Sequence, residues 1–269
     1  MEAGAYRDSI ARLNDLPTPG EEKPSARVPE APFDVRVDRA EYRYPGAARD
    51  VLRDLSLTVP QGQRVAVLGR SGAGKSTLAS LVRGDIRPDA GGVTLGGSPT
   101  ADLGDEAAKW IGVIQQRTYL FNMTLRDNLR IGREDATDDE VWDALGRVGL
   151  RSMAERLPNG LDTLVDEAGL RFSGGERHRI ALARVLLQDV PVVILDEPTV
   201  GLDPITERAL LDDLFEALAG KTVIMITHHL AGVDAMDRVV FVEDGRIALD
   251  GAPDELARTS ERYRCLLAF

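Results

Sequence analysis

One loop of this 269-residue chain is suited to binding phosphate. An apolar run, Val65–Leu68, predicts a buried strand before the loop, and the residues from Thr77 to Arg83 predict a helix after it. Between strand and helix, successive backbone N–H groups surround phosphate oxygens, and glycines let the chain pass close to them. The loop reads Gly69-Arg70-Ser71-Gly72-Ala73-Gly74-Lys75-Ser76-Thr77.

Four polar side chains would carry the chemistry at such a loop. Lys75 supplies a positive charge to the β- and γ-phosphates, and the Ser76 hydroxyl binds Mg²⁺. A second apolar run, Val192–Leu195, ends in the acidic pair Asp196 and Glu197. We expect Asp196 to hold Mg²⁺ through its water shell and Glu197 to polarise the attacking water. These two elements alone fit many nucleotide-hydrolysing proteins.

A third segment, Phe172-Ser173-Gly174-Gly175-Glu176, narrows that choice. With it, the chain resembles the nucleotide-binding domain of ABC transporters from about Phe33 to its C-terminus. In that family the signature loop and the helix after it, Arg177–Leu187 here, direct N–H groups and a positive dipole end at ATP held by a partner domain. The resemblance implies that two such domains close around ATP and that hydrolysis releases them.

The resemblance also assigns roles to single residues. Tyr44 matches the aromatic residue that stacks on adenine, and Gln116 matches the glutamine that senses Mg²⁺ and the attacking water. His228, which follows the predicted strand Thr222–Ile226, matches the switch histidine. Asp203, in Gly201-Leu202-Asp203, matches a loop that contacts the partner domain. The implied sets are Glu197, His228, Gln116 and Lys75 for catalysis; Tyr44 and Gly69–Thr77 for ATP; Ser76, Gln116 and Asp196 for Mg²⁺; and Ser173, Gly174, Gly175 and Glu176 for the partner's ATP.

Glu176 departs from the family pattern, in which glutamine is commoner at this position. The substitution places a carboxylate near a triphosphate, so we expect it to weaken the composite site. A further segment, Thr163–Gly169, resembles the exporter-type loop that touches the membrane domains.

The pattern of strands and helices predicts an α/β fold, and the resemblance implies that this fold is of the ABC P-loop type. We expect a RecA-like mixed-sheet core, an antiparallel β subdomain that includes Phe33–Val37 and Leu55–Val59, and a helical subdomain at about 120–187. Within the last, Thr137 and Glu140 predict a helix that starts with a capping box. Residues 1–32 combine a helical apolar stripe with a proline-rich stretch, which predicts a linker from a membrane domain to the nucleotide-binding domain at 33–269.

The composition of the chain limits the classes of partner that it can bind and the compartment in which it can act. The net charge of −11 disfavours binding to nucleic acid or to anionic lipid. The single cysteine, Cys265, excludes an internal disulfide and fits a reducing compartment. No apolar run reaches the roughly 20 residues of a membrane span, and no signal peptide is evident. We therefore expect the chain to act at the cytoplasmic face of the inner membrane without inserting into it, with membrane domains supplied from elsewhere.

The C-terminal third, from Glu197 to Glu207 and from Lys221 to His228, resembles the CydC-type half-transporters. Those proteins pair with a CydD-type partner and are associated with export of cysteine and glutathione and with cytochrome bd assembly. Another exporter motor, for lipids, peptides or drugs, remains open. A non-transport ATPase of translation or DNA repair is disfavoured, because this chain has neither a second such domain nor a long coiled coil. A regulator without turnover is disfavoured because Glu197 and His228 are both present.

Overall fold

The computed structural model describes residues 27–115, 119–165, 172–199 and 203–267. Several predictions concern residues outside these ranges: the N-terminal helix and most of the linker at 1–32, Gln116, Gly201 and Leu202, and the part of the exporter-type loop from Asp166 to Gly169. Each of these stays a prediction.

Ten strands alternate with helices along the described chain. The strands are β1 (Val35–Tyr42), β2 (Leu52–Val59), β3 (Arg64–Leu68), β4 (Ala90–Leu95), β5 (Ser98–Pro99), β6 (Ile111–Gln115), β7 (Val192–Asp196), β8 (Thr222–Thr227), β9 (Arg238–Glu243) and β10 (Arg246–Gly251). The α-helices are α1 (Lys75–Arg83), α2 (Thr100–Leu103), α3 (Leu125–Arg130), α4 (Asp138–Arg147), α5 (Arg151–Glu155), α6 (Gly174–Gln188), α7 (Pro204–Ala217), α8 (Pro253–Thr259) and α9 (Glu261–Leu267). Short 3₁₀ helices lie at Gly104–Lys109, Gly160–Asp162 and Val233–Ala235.

The strands form two sheets. β1, β2, β4 and β5 make an antiparallel sheet in the order β2-β1-β4-β5. The other six make a mixed sheet in the order β10-β9-β3-β8-β7-β6, in which only the β9–β10 pair is antiparallel. The predicted α/β fold, with a mixed central sheet and a separate antiparallel sheet, is confirmed.

The central sheet separates two hydrophobic cores, because successive residues of a strand point to opposite faces. Val192 and Ile194 of β7 pack with the antiparallel sheet and α1. Val193 and Leu195 pack on the other face, in a core shared with α3, α4, α6 and α7. This burial on both faces explains why the strand reads as a continuous apolar run.

Helices α3 to α6 lie between β6 and β7 in the sequence. The capping box predicted for α4 is present: Thr137 Oγ1 accepts a hydrogen bond from the Glu140 amide, and the Glu140 carboxylate accepts one from the Thr137 amide. These hydrogen bonds, together with Arg133, lower the pKa of Glu140 to about 2. Local sequence signals therefore set the start of this helix.

Several element boundaries differ from those expected. β1 runs from Val35 to Tyr42 rather than over Phe33–Val37, and β2 starts at Leu52 rather than Leu55. α1 begins at Lys75, two residues before the predicted Thr77, because Gly74 takes a left-handed conformation and ends the loop there. α6 begins at Gly174, not at Arg177, because Ser173 caps it. Both signature glycines, Gly174 and Gly175, therefore lie in the first turn of a helix rather than in a loop.

Candidate functional site

Four neighbouring parallel strands end at one edge of the central sheet. In the register of the sheet Leu68 pairs with Thr227, Asp196 pairs with Ile226, and Gln115 pairs with Asp196. The residues that follow these strand ends in the described chain, Gly69, Glu197 and His228, therefore converge on that edge. Ligands of open α/β sheets bind in this position, beyond the carboxyl ends of the strands.

The phosphate loop connects β3 to α1 by a path that excludes larger side chains. Gly74 has a φ of 106°, and a Cβ there would lie 2.7 Å from Leu52 Cδ2. A Cβ on Gly69 would lie 2.4 Å from the carbonyl oxygen of Val242. Glycine is therefore required at both ends of the loop, and the first-turn N–H groups of α1 have no acceptor within the helix.

Lys75 is held inside this loop. Its side chain is almost fully buried, at 6 % exposure, and Nζ donates hydrogen bonds to the carbonyl oxygens of Gly69, at 2.7 Å, and Arg70, at 3.1 Å. Burial lowers the pKa of Lys75, and the charges of Glu197 and Asp196 partly oppose that shift. The ammonium is thus pre-positioned between the loop and the two acidic residues, while Ser76 at the next position is exposed.

Glu197 and His228 form a direct pair at the same sheet edge. His228 Nδ1 lies 2.9 Å from Glu197 Oε1, and the Glu197 amide donates to the carbonyl oxygen of Ile226 at 2.8 Å. Glu197 has a φ of 48°, a conformation that is uncommon for a residue with a side chain and costs about 1 kcal/mol. A histidine hydrogen-bonded to a partly exposed carboxylate is suited to holding a water or a phosphate oxygen beside it.

Asp196 lies in surroundings that suit a bound cation. Burial raises the pKa of Asp196, the charge of Glu197 raises it further, and Arg83 and Lys75 lower it. Across the described ranges, no three His, Cys, Asp or Glu side chains group closely enough to hold a metal by themselves. Proteins usually bind Mg²⁺ through one or two side chains together with substrate phosphates. The Ser76 hydroxyl and the Asp196 carboxylate are oxygen groups of the kind that Mg²⁺ takes as ligands.

Tyr44 approaches the phosphate-loop helix from the antiparallel sheet. Its hydroxyl lies 3.1 Å from Thr77 Oγ1, and its ring packs edge-on against Tyr42 with centroids 5.0 Å apart. The side chain is 43 % exposed, so part of its ring is available to a ligand. Both contacts hold the exposed ring beside the start of α1.

The signature segment is organised by its own hydrogen bonds. Ser173 caps α6: its Oγ accepts from the Glu176 amide at 3.2 Å, and Glu176 Oε2 accepts from the Ser173 amide at 2.7 Å. This capping box leaves the N–H groups of Gly174 and Gly175 without intrahelical acceptors. A Cβ built on either glycine meets no atom within 4 Å, so a ligand can approach closely. The Glu176 carboxylate is turned back onto the cap, and the expected weakening of the composite site by Glu176 stays a prediction.

None of the four signature residues lines the cavity beside this chain's own phosphate loop. That cavity, of about 630 Å³, is bounded by residues that include Gly69, Ser71, Glu207 and His228. The helix after the phosphate loop begins at Lys75 and the signature helix begins at Gly174, so one chain offers two sets of first-turn N–H groups.

Asp203 caps α7 at the point where the predicted partner-contact loop ends. Its Oδ1 accepts from the amides of Ile205 and Thr206, both at 3.1 Å. A hydrogen bond with the Thr206 side chain, together with these amide hydrogen bonds, lowers the pKa of Asp203. Before the loop, the buried Thr199 donates to Glu207 Oε1 at 2.6 Å. The two ends of the loop are thus tied to the same helix.

A phosphate loop, strand-terminal acids, a paired histidine and a separate signature helix together define a nucleotide hydrolase of the ABC class. The family model described as "ABC transporter" matches residues 52–200. The chain belongs to the ABC transporter family, and it is a nucleotide-binding domain of exporter type with ATPase activity. Within the described ranges, none of the helices combines the length and apolar character that a membrane crossing requires.

Similar proteins include two that are named as ATP-binding/permease proteins of a glutathione/L-cysteine transport system. The chain is 46 % identical over 98 % of its length to the glutathione/L-cysteine transport protein CydD of Bacillus subtilis, and 38 % identical over 95 % to CydC of Escherichia coli. It is also 36 % identical over 98 % of its length to a lipid A-core flippase of Chromobacterium violaceum. It covers 47 %, 45 % and 45 % of these relatives, so the chain spans about half the length of each.

The fold also matches a solved structure. A bacterial Atm1-family ABC exporter with ATP bound superposes with a TM-score of 0.85 and 33 % identity. The match covers 97 % of this chain and 46 % of that one.

Proposed function

We propose that this chain is the motor domain of an ABC exporter, which pairs with a second such domain around two ATP molecules and hydrolyses them to drive export. The observation that carries the proposal is the arrangement of the sheet edge. There Lys75 is held inside the phosphate loop, and Asp196 and the Glu197–His228 pair lie at the ends of the neighbouring strands. Further support comes from the signature helix α6, which begins at Gly174 and has first-turn N–H groups of its own without intrahelical acceptors.

Within this proposal, each residue at the sheet edge has one task. The loop amides and Lys75 bind the β- and γ-phosphates and stabilise the negative charge of the transferring phosphoryl group. Glu197 accepts a hydrogen bond from the attacking water and orients it, while His228, held by Glu197, and Gln116 position that water and the γ-phosphate. Tyr44 stacks on adenine. Mg²⁺, held by Ser76, Gln116 and Asp196, would neutralise charge on the phosphates.

The signature segment would complete the partner's site. The N–H groups of Gly174 and Gly175 lie at the positive end of the helix dipole of α6, so they favour an anion there. Ser173 and Glu176 hold that end of the helix in shape, and Asp203 holds the adjoining partner-contact loop. Neither chain then has a complete ATP site alone, which makes ATP the link between the two.

We further propose that the chain is part of a CydDC-like heterodimer that exports cysteine or glutathione, with residues 1–32 leading from a membrane domain to the ATPase domain at 33–269. On this view helices within about 120–187 form the subdomain that docks the membrane domains at the cytoplasmic face of the inner membrane. Support comes from the C-terminal motifs and from the CydD and CydC relatives. Since the identity is higher to the CydD relative than to the CydC relative, these comparisons do not favour the CydC type. A lipid exporter is the second candidate, given the flippase relative.

A Glu197→Gln variant tests the motor function. The amide keeps the size of the side chain and loses the negative charge, so the variant should bind ATP, turn over at least about a hundredfold more slowly and accumulate ATP-bound dimers. ATPase assays and sedimentation velocity measure both effects. Unchanged steady-state turnover would refute the assignment of Glu197.

The heterodimer proposal has its own test. ATPase activity would be measured for this chain alone, for a CydD-type ATPase domain alone, and for their equimolar mixture. The thiol-exporter proposal predicts little activity alone and a rate in the mixture well above the sum of the two. Full activity of this chain alone would favour a symmetric exporter instead.

A further inference from the structure

Arg184 lies in the C-terminal half of the signature helix α6, and its guanidinium donates to main-chain and amide oxygens rather than to a carboxylate. Nε donates to the carbonyl oxygen of Asn128 at 2.7 Å, Nη2 to Asn128 Oδ1 at 2.7 Å, and Nη1 to the carbonyl oxygen of Tyr119 at 2.9 Å. Within the described ranges no carboxylate forms an ion pair with it. Burial lowers the pKa of Arg184 to about 10.

Asn128 extends this contact over the segment before α3. It is fully buried, and its Nδ2 donates to the carbonyl oxygens of Phe121, Met123 and Thr124 at 2.9, 3.3 and 3.0 Å. Its Oδ1 accepts from the Phe121 amide at 2.9 Å as well as from Arg184. One side chain thus fixes the path of the segment, and Arg184 attaches that side chain to α6.

The same segment is also attached to the chain that enters the signature. The Leu125 amide donates to the carbonyl oxygen of Thr163 at 3.0 Å, and the Val165 amide donates to the carbonyl oxygen of Met123 at 2.9 Å. The chain just after α3 also packs closely against α6, since a Cβ on Gly132 would lie 2.2 Å from the carbonyl oxygen of Arg184. Residues 119–132 are therefore bound both to the approach to the signature and to the helix that leaves it.

This segment begins close to the nucleotide edge of the sheet. β6 ends at Gln115, whose register partner on β7 is Asp196, and Tyr119 lies four residues further along the chain. The planar guanidinium presents its donors in a fixed fork, so it sets both the distance and the angle between the segment and α6. A displacement of the segment at the sheet edge must then move the signature helix with it.

We propose that Arg184 and Asn128 form a positioning clamp, which makes residues 119–128 and α6 move as one unit and so links the nucleotide site of this chain to the signature that it offers to the partner's ATP. The inference rests on the proposed function, because it needs the signature to serve a second chain. Arg184 is a positioning residue: it contacts neither the nucleotide nor the attacking water, and it acts through the position of α6.

The test uses ATP-driven association in the Glu197→Gln background, with this chain alone or mixed with the CydD-type domain, whichever associates. Adding Arg184→Met should raise the dissociation constant of the dimer by roughly tenfold or more, because the fork is lost. Binding of a fluorescent ATP analogue to the dilute, monomeric chain should change by less than about twofold. Sedimentation velocity measures the first quantity and fluorescence titration the second.

Further variants separate an effect on the position of α6 from a general loss of stability. Val141→Ala removes buried volume from α4, in the core that α4 shares with α6, without touching the clamp, so it should lower the melting temperature and leave dimer affinity within about twofold. Asn128→Ala combined with Arg184→Met should weaken the dimer no more than either change alone, because both break one network. If Arg184→Met does not fold, Arg184→Lys replaces it, since lysine keeps the charge and loses the fork.

The outcomes distinguish a failure of the proposed function from a failure of the clamp. A Glu197→Gln background that binds ATP but never associates would overturn the proposed function itself. A background that associates normally, with Arg184→Met or Arg184→Lys having an effect no larger than that of Val141→Ala, would overturn the clamp alone.

Discussion

Replacing Lys75 with methionine should separate nucleotide binding from folding. The lysine side chain is almost fully buried, and its ammonium is held by the carbonyl oxygens of Gly69 and Arg70. Its pKa lies below the usual 10.5 chiefly because of burial, so folding disfavours the charged form. The stability of the nucleotide-free chain should accordingly rise as the pH increases through the folded-state pKa towards 10.5, where the unfolded chain still binds a proton.

Two opposing terms set the size of the stability effect. Methionine has nearly the volume of lysine but forms neither hydrogen bond, which costs about 1.5–3 kcal/mol for each bond to the charged group. It also removes the desolvation penalty of a buried ion, which is several kcal/mol. We expect these terms to cancel to within about 2 kcal/mol in the free energy of unfolding. ATP affinity should instead fall by about a hundredfold or more, because a charge beside the phosphates is lost.

Urea unfolding and isothermal titration calorimetry measure the two effects. Lys221→Met is the matched control, because Lys221 bonds Asp189 and the carbonyl oxygen of Val190 just before β8, at the opposite end of that strand from His228. It should leave ATP affinity unchanged. An ATP dissociation constant for Lys75→Met within about threefold of wild type would refute the role of the loop. A loss of more than about 4 kcal/mol of stability would refute the cancellation.

Three further changes address single contacts. Tyr44→Ala should weaken ATP binding by about tenfold whereas Tyr44→Phe should not, because stacking needs the ring and not the hydroxyl; titration with ATP would show it. Thr137→Ala should lower the free energy of unfolding by about 1 kcal/mol in urea, since it breaks the capping box with Glu140. Asp196→Asn should raise the melting temperature of the nucleotide-free chain while abolishing Mg²⁺-dependent ATPase activity. The sign follows from the raised pKa of Asp196: burial and Glu197 disfavour the ionised form, so the neutral amide removes a cost of folding.

Much of the fold and of the candidate site could be predicted from local sequence. The apolar runs before Gly69 and Asp196 became central strands because parallel strands are buried on both faces. The capping box of Thr137 and Glu140 predicted the start of α4. The same pattern in Ser173 and Glu176 also satisfies the capping-box rule, and applying it would have placed the start of α6 at Gly174.

Other features depend on contacts between distant parts of the chain. The left-handed conformation of Glu197 has no sequence signal, since most residues with φ above zero are glycine or asparagine. The contact of Arg184 with Tyr119 and Asn128 spans 65 and 56 residues and uses mainly carbonyl oxygens, which every residue carries. Only the folded structure reveals which carbonyls meet this arginine.

Complementation between two defective chains tests most directly whether the ATP site is shared. Lys75→Met removes the phosphate-loop charge, and Gly175→Glu fills the open space at the signature with a carboxylate that repels phosphate. Because little activity is expected of the chain alone at low concentration, the protein concentration is raised until the wild-type chain by itself gives a measurable ATPase rate. At that concentration each variant alone should be inactive. Their equimolar mixture should recover about a quarter of the wild-type rate, since half of randomly formed dimers are mixed and each holds one intact site. A mixture as inactive as the separate variants would show that both elements act within one chain and would contradict the account.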